Sequence, residues 1–307
     1  MRTRKNVRKK TFTVATVIIF ALLLIYVVSI MSMYIWAFGA SLKTKIQFSK
    51  DPLGWAPGWP WQWAWDNYPT AINSIKVYVT LPQYRGVTNY RGYVYFDTML
   101  FNSVLYTIGG SIVHNLTTWL MAYLITRFSY YKLSKVLFTL NIALMTIPVM
   151  GSLASSLAIY KTLGWYDNYL FILVNNIGFK GANLLYYCAF IRGLGNEYYE
   201  AAYIDGAGNM TAMLKIAFPL TVQLFAVFFL LGAITRWNDY MTMLIWMPNY
   251  PTLAYGIYKT GVSNATSLSF PPLQIAVCVV LMFPMLVLFF AFQDAIMGNL
   301  RLGALKG

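Results

Sequence analysis

The chain alternates long apolar stretches with short polar joints. Residues 11–38, 98–126, 136–160, 216–235 and 274–293 hold no Asp, Glu, Lys or Arg, and a less clean stretch, 169–191, is interrupted by Lys180. About 20 apolar residues in a helix cross a hydrocarbon core about 30 Å thick, and a helix satisfies its own backbone there without water. The pattern therefore predicts six transmembrane helices. The first stretch follows a basic start, as a signal peptide does, but its apolar run is longer and reads as a signal-anchor helix. The expected class is an all-α integral membrane protein. Its divisions are a basic tail (1–10), a first span (11–38), a long external loop (39–97), a five-helix core (98–298) and a C-terminal tail (299–307).

Charge gives the spans a direction. Arg2, Arg4, Lys5, Arg8, Lys9 and Lys10 crowd the start, and Arg127, Lys132 and Lys135 follow the second span. Arg192 and Lys215 flank the joint between the fourth and fifth, and Arg301 and Lys306 come at the end. Basic residues concentrate in short cytoplasmic joints, so both termini and the 196–219 joint are expected in the cytoplasm. The opposite joints, 160–168 and 240–273, hold only Lys161 and Lys259 as basic residues. With 59% hydrophobic and 10% charged residues, this is no soluble globular chain. Its net charge of +14 does not argue for nucleic acid, because the basic residues are not gathered on a polar domain. Cys188 and Cys278 fall in apolar stretches and read as buried residues rather than a disulfide or metal pair.

The joint NEYYEAAYIDGAGNMTAMLKIAFP, residues 196–219, carries Glu197, Glu200, Asp205 and Lys215, so it lies outside the hydrocarbon with a structure of its own. Asn196 is placed to cap a helix whose first turn holds Glu197 and Glu200 at the positive end of its dipole. Tyr198, Ala201, Ala202 and Ile204 put small and apolar groups on one side. Asp205-Gly206-Ala207-Gly208-Asn209 is a turn, since Gly and Asn tolerate positive φ. A second helix restarts near Thr211, with Pro219 suited to the first turn of the next span.

The external loop opens DPLGWAPGWPWQWAWDNY, with Trp55, Trp59, Trp61, Trp63 and Trp65 among Pro52, Pro57 and Pro60. Exposed tryptophans stack on sugar faces. The simpler readings are an aromatic belt at the membrane interface or packing against a partner subunit. Residues 75–96, rich in Tyr, Val and Thr, read as a small hairpin.

Glu200, Ala201, Ala202, Gly206, Ile216 and Pro219 match, at that spacing, the Glu-Ala-Ala signature loop of ABC importer permeases, with Phe218 where leucine is usual. Asp205 and Ala207 complete an Ile204-Asp205-Gly206-Ala207 run with the flavour of the carbohydrate-uptake type. Asn67-Tyr68, Asn102-Ser103, Trp237-Asn238-Asp239 and Lys306-Gly307 extend the resemblance over nearly the whole chain, which is similar to the smaller maltose-type permease subunit. The interval from Tyr68 to Asn102 is longer than usual in such permeases.

The resemblance implies the type I importer permease fold, with the loop as a coupling helix that docks on an ATPase. It implies a second permease subunit in a heterodimer, two ABC ATPase subunits and an extracytoplasmic solute-binding protein, surrounded by membrane lipid in the cell membrane. Alternating access would then move a carbohydrate or oligosaccharide into the cytoplasm, with no cofactor or metal implied. A non-sugar solute is the alternative. A secondary transporter is a further rival, but it needs ion-coupling acids in the spans, and only Asp294, at the edge of the last one, comes near. No G-x-x-x-x-G-K-S/T phosphate loop occurs, so ATP hydrolysis belongs to separate subunits, and a membrane enzyme fails for want of a nucleophile–base or metal constellation.

Candidates for the translocation path are His114, Asn115, Asn176, Lys180, Asn183, Asn238 and Asp239. His114 and Asn115 sit mid-span beside Thr117 and Thr118, a patch that faces either a cavity or another helix by hydrogen bonding. Gly178 and Gly181 flank Lys180 and mark a broken helix. Either this segment lines the outer part of the path, or the helix starts later and Lys180 snorkels to the outer interface.

Overall fold

The structure, a computed structural model, describes residues 14–84, 86–147, 151–262 and 270–304, with backbone alone at 83–84, 262 and 295–304. The basic tail 1–10 and Lys306-Gly307 lie outside the described residues. The chain divides into two compact units, residues 1–71 with 267–280, and residues 72–266 with 281–307.

In the first unit, α1 (Val14–Ser41) is an apolar helix with exposed side chains throughout 14–29, and only its last residues, Gly39, Ala40 and Ser41, are buried. A helix end leaves carbonyls without helical donors. Here Asn67 Nδ2 donates to the carbonyls of Ser41 and Lys43 at 2.7 and 2.9 Å. Tyr68 shares a 2.8 Å hydrogen bond with Ser41 Oγ, so the Asn-Tyr pair acts as a clasp on the end of α1. A Thr44–Gln47 capping box starts α2 (Lys45–Lys50). The tryptophan run folds back along α1: Trp36 Nε1 donates to the Pro52 carbonyl at 3.0 Å, and Trp55 lies on Gly39, where a Cβ would come within 2.5 Å of the ring. Trp59 and Trp61 stack with centroids 5.2 Å apart and stay 64% and 73% exposed. The clasp residues begin α3 (Asn67–Ser74).

The second unit opens with β1 (Lys76–Tyr84) and β2 (Val87–Tyr95), an antiparallel hairpin turned at Gly86, φ +86°. The fold is therefore mostly helical rather than all-α. Val77, Val79, Leu81 and Val94 bury one face of the hairpin, as a period-two pattern dictates. A single helical run follows: α4 (Phe96–Val104), a π-helical stretch Leu105–Gly109, and α5 (Gly110–Arg127). The remaining elements are α6 (Lys132–Thr146), α7 (Leu153–Thr162), α8 (Leu170–Asn175), α9 (Ala182–Gly193), α10 (Glu197–Ile204) and α11 (Asn209–Ala212). A second π-helical stretch, Met213–Ala217, leads into α12 (Phe218–Trp237), followed by α13 (Met241–Trp246), α14 (Leu253–Val262) and α15 (Pro271–Ala304).

Among the described residues, three helices are long and apolar enough to cross a membrane: Val14–Ser41, Asn209–Trp237 and Pro271–Asp294. The other expected spans depart from simple helices, each for a physical reason. The second keeps its length but is dense in polar groups from Asn102 to Thr118. The third, 136–160, ends as a helix at Thr146, because Ile147 precedes Pro148 and takes extended geometry, ψ 113°. Proline disfavours the helical region for its predecessor. Helix resumes at Leu153, after Gly151 at φ +73°. The fourth is broken between Asn175 and Ala182, as the glycines around Lys180 suggest.

The core of this unit joins α5, α9, α10 and the start of α12 through Trp119, Tyr123, Leu184, Tyr187, Cys188, Ile191 and Tyr199. Ala122, Ala212 and Ala217 are fully buried, small enough to let helices approach closely. Trp119 Nε1 donates to Thr221 Oγ1 at 2.8 Å, and its ring meets Phe218 edge-on at 5.1 Å. Cys188 is buried as expected, whereas Cys278 is exposed. It lies in the apolar α15, much of whose side-chain surface the chain leaves uncovered.

Candidate functional site

Two polar constellations stand out in the second unit, the 196–208 loop and a cluster within the helices. In the loop, α10 ends in a Schellman motif: Ala207 N–H bonds the Ala202 carbonyl at 2.9 Å and Gly206 N–H bonds the Tyr203 carbonyl at 3.1 Å. That closure requires a left-handed residue, and Gly206 supplies it at φ +80°. Tyr203 Oη then donates to Asn209 Oδ1 at 2.9 Å, joining the two sides of the turn.

Asn196 occupies the N-cap position, but its side chain makes no cap hydrogen bond. Its Oδ1 instead accepts from Arg127 Nη1 at 3.0 Å, drawn away by a charged donor. The same guanidinium lies 4.1 Å from the Tyr199 ring centroid and 5.7 Å from that of Tyr203. Arg127, at the end of α5, thus holds the loop to the bundle. Tyr199 is the inward face of α10, and burial pushes its phenol above its ordinary pKa, against the opposing pull of Arg127.

Outward, Glu197, Tyr198, Glu200, Ala201, Ile204, Asp205 and Gly206 are exposed, Ile204 to 86%, while Ala202 and Ala207 are half-buried. The apolar side expected of α10 is therefore turned away from the chain's own core, apart from Ala202. Helix resumes at Asn209, two residues before the expected restart, with Gly208 at the N-cap position. Pro219 is the second residue of α12, as expected of a first turn, but α12 itself continues the helix begun at Asn209. The proline sits inside a continuous helix, just after the π-helical Met213–Ala217 that accommodates its missing N–H and bulky ring. Ile216 is half-buried against the core cluster.

The second constellation centres on Arg236, a residue the hydropathy pattern passes over as the flank of an apolar stretch. Its Nε donates to Asn176 Oδ1 at 2.8 Å, and its Nη1 to the Gly232 carbonyl at 3.2 Å and Ser111 Oγ at 3.4 Å. Two glycines make room for it. A Cβ at Gly110 would come 3.1 Å from Arg236 Nε, and one at Gly232 would come 2.8 Å from its Nη1. A basic residue at the end of the 216–235 stretch that the charge pattern expects to lie outside, against the positive-inside trend, is the sequence signal that could have marked it.

Of the expected path residues, His114, Asn115 and Asn176 fall in this neighbourhood. Asn115 is fully buried, donating to the Ser111 carbonyl at 2.9 Å and accepting from Tyr187 Oη at 3.3 Å. Gly178 packs so tightly on His114 and Thr118 that a Cβ there would meet His114 Nδ1 at 2.8 Å. The broken α8–α9 backbone is paired: Gly178 N–H donates to Thr117 Oγ1 at 2.8 Å and Gly181 N–H to Asn141 Oδ1 at 2.7 Å. Irregular backbone at membrane depth needs this protein cover.

Asp239 is fixed rather than open, accepting from Tyr106 Oη at 3.0 Å and from Thr242 N–H, at the start of α13, at 2.9 Å. Asn238 is exposed and bonds back to the Ile234 carbonyl at 2.8 Å. Lys180 is exposed and Asn183 half-buried. Among the described residues no group of His, Cys, Asp and Glu could hold a metal ion.

Residues 114–301 match the family described as the binding-protein-dependent transport system inner membrane component. The melibiose/raffinose/stachyose import permease protein MelC of Bacillus subtilis is 30% identical over 223 residues, 70% of this chain and 76% of its own length. The polygalacturonan/rhamnogalacturonan transport system permease protein YtcP of Bacillus subtilis is 25% identical, over 76% of this chain and 86% of its own. Among solved structures, a bacterial ABC transporter involved in the import of the acidic polysaccharide alginate contains a chain of similar fold. The TM-score is 0.68 at 16% identity, covering 94% of this chain and 99% of that one.

Proposed function

The chain belongs to the family of binding-protein-dependent transport system inner membrane components, and we propose that it is the carbohydrate-uptake permease subunit of an ATP-driven ABC importer. It is a multi-pass membrane transport subunit and not an enzyme. The names of its relatives, a melibiose/raffinose/stachyose import permease and a polygalacturonan/rhamnogalacturonan transport system permease, support a saccharide as the solute.

The exposed face of α10 is the observation that carries this reading. Tyr198, Ala201 and Ile204 offer an apolar patch edged by Glu197, Glu200 and Asp205. Buried Tyr199 and the Arg127 clamp fix that patch to the helix bundle. A rigidly held, outward apolar helix suits docking into a cleft on an ATPase subunit, and each ATPase movement then reaches α5 and α12 directly. In this reading the chain makes six crossings with both termini in the cytoplasm, the third and fourth in two pieces each. It pairs with a second permease and two ATPases and receives solute from an extracytoplasmic binding protein. The paired break between α8 and α9, with His114, Asn115, Asn176 and Arg236 behind it, lies along the translocation path.

The test is purification of the tagged chain from its host membrane. An ABC ATPase and a second permease should co-purify. In proteoliposomes the complex should hydrolyse ATP faster when the binding protein and its saccharide are added. A chain that purifies alone and transports on an ion gradient overturns the reading.

A further inference from the structure

The outer face of the β1–β2 hairpin is a built surface that the transport cycle as described does not use. The register sets three cross-strand rows on it: Lys76 with Tyr95, Tyr78 with Tyr93, and Thr80 with Arg91. All six residues are exposed, Tyr78 to 58% and Tyr95 to 49%. Tyr78 and Tyr93 meet edge-on with centroids 5.6 Å apart, and Lys76 Nζ lies 5.0 Å from the Tyr93 centroid. From residue 76 to 96 the sequence holds no Asp or Glu.

This face is held rigidly. The buried face of the hairpin is Val77, Val79, Leu81 and Val94. Thr80 N–H donates to Asn249 Oδ1 at 2.7 Å, and Asn249 is itself gripped by Asp167, its N–H at 3.0 Å and its Nδ2 at 2.6 Å. Three separate connections of the chain thus meet in one hydrogen-bonded platform. The helical run from Phe96 to Arg127 puts about 45 Å between the hairpin and the loop that Arg127 clamps. With that loop cytoplasmic, the hairpin is on the opposite side of the membrane.

We propose that this tyrosine and cation face is the docking surface for an acidic patch on the extracytoplasmic binding protein. The inference rests on the proposed function for the existence of such a partner, and on the hairpin for where it lands. Tyrosine and arginine are the side chains that dominate protein interfaces. Exposed cations with no acid among them select a partner of opposite charge and speed its encounter. Rigidity lowers the entropy cost of docking.

The experiment uses the assembled transporter in nanodiscs and titrates saccharide-loaded binding protein while ATP hydrolysis is followed. The double variant Lys76→Glu/Arg91→Glu should need at least about tenfold more binding protein for half-maximal stimulation, and Tyr78→Ala about fivefold more. Assembly and basal hydrolysis should match the wild type, since all three residues are on the surface. The charge-preserving Lys76→Arg/Arg91→Lys variant should behave as the wild type.

Unchanged titrations in both the reversed and Tyr78→Ala variants overturn the inference and leave the function standing. A defect confined to nanodiscs of anionic lipid, absent in neutral lipid, assigns the face to headgroups and also overturns it. A wild-type complex that no binding protein stimulates removes the proposed function and this inference with it.

Discussion

Gly206 decides the shape of the exposed loop. A residue with a Cβ pays about 1–2 kcal/mol to enter the left-handed region, and a β-branched one more. Gly206→Val should therefore insert and assemble normally, yet lose at least about tenfold in saccharide-stimulated ATP hydrolysis while basal hydrolysis persists. Wild-type stimulation would dissociate this turn from coupling. Gly206 was legible in the sequence because glycine at a helix end has one common physical use. Arg236 was not, because a hydropathy reading stops at the last apolar residue and treats the next charge as a flank. Replacing Arg236 with Met should leave Asn176 Oδ1 and Ser111 Oγ without their donor. We expect a cost of about 1–3 kcal/mol, seen as a lowered unfolding temperature in detergent. A matching loss is expected for Gly232→Leu, which fills the same space from the other side.

Elements show where a pattern of apolar residues under-determines structure. The stretch 136–160 is apolar throughout, and periodicity alone gives one helix. Pro148, through its restriction on Ile147, divides it. The break in 169–191 was legible from Gly178, Lys180 and Gly181, but its partners were not, since Thr117 and Asn141 are distant in sequence. Thr117→Val and Asn141→Ala each leave one break N–H unpaired and should lower stability by about 1–3 kcal/mol. Because both bonds hold one short break, the two effects should couple rather than add, which a double-mutant cycle measures. Lys180 makes a sharper test of the path. Unchanged uptake kinetics in Lys180→Met, at matched expression and basal hydrolysis, would take it off the path and leave the snorkelling account.

On the scale of the whole molecule, the direction of insertion is the property everything else depends on. Single cysteines at Ser129 or Asn209 should react with impermeant thiol reagents only from the cytoplasmic side, and one at Gln62 only from outside. The buried Cys188 should stay silent, while the exposed Cys278 calls for a background in which it is replaced. Labelling of Asn209 from outside would invert the chain. The overall class was legible because apolar length and charge asymmetry are properties of composition along the chain. The hairpin's supports were not, because Asp167, Asn249 and Thr80 come together only after folding.

The run from Phe96 to Arg127 is one continuous rod with an irregular stretch partway along it. Its π-helical stretch at Leu105–Gly109 interrupts the regular α-helical ladder, and such stretches often mark functional sites. Measured from that stretch, the arm toward the hairpin is about 16 Å long and the arm toward Arg127 about 30 Å. If the run pivots there, a displacement of about 1 Å at the hairpin end arrives as about 2 Å, in the opposite sense, at the residue that grips the exposed loop. The same joint worked backwards halves a motion and doubles its force. Such a rod would report weakly at the hairpin whatever the loop is made to do, and strongly at the loop whatever lands on the hairpin.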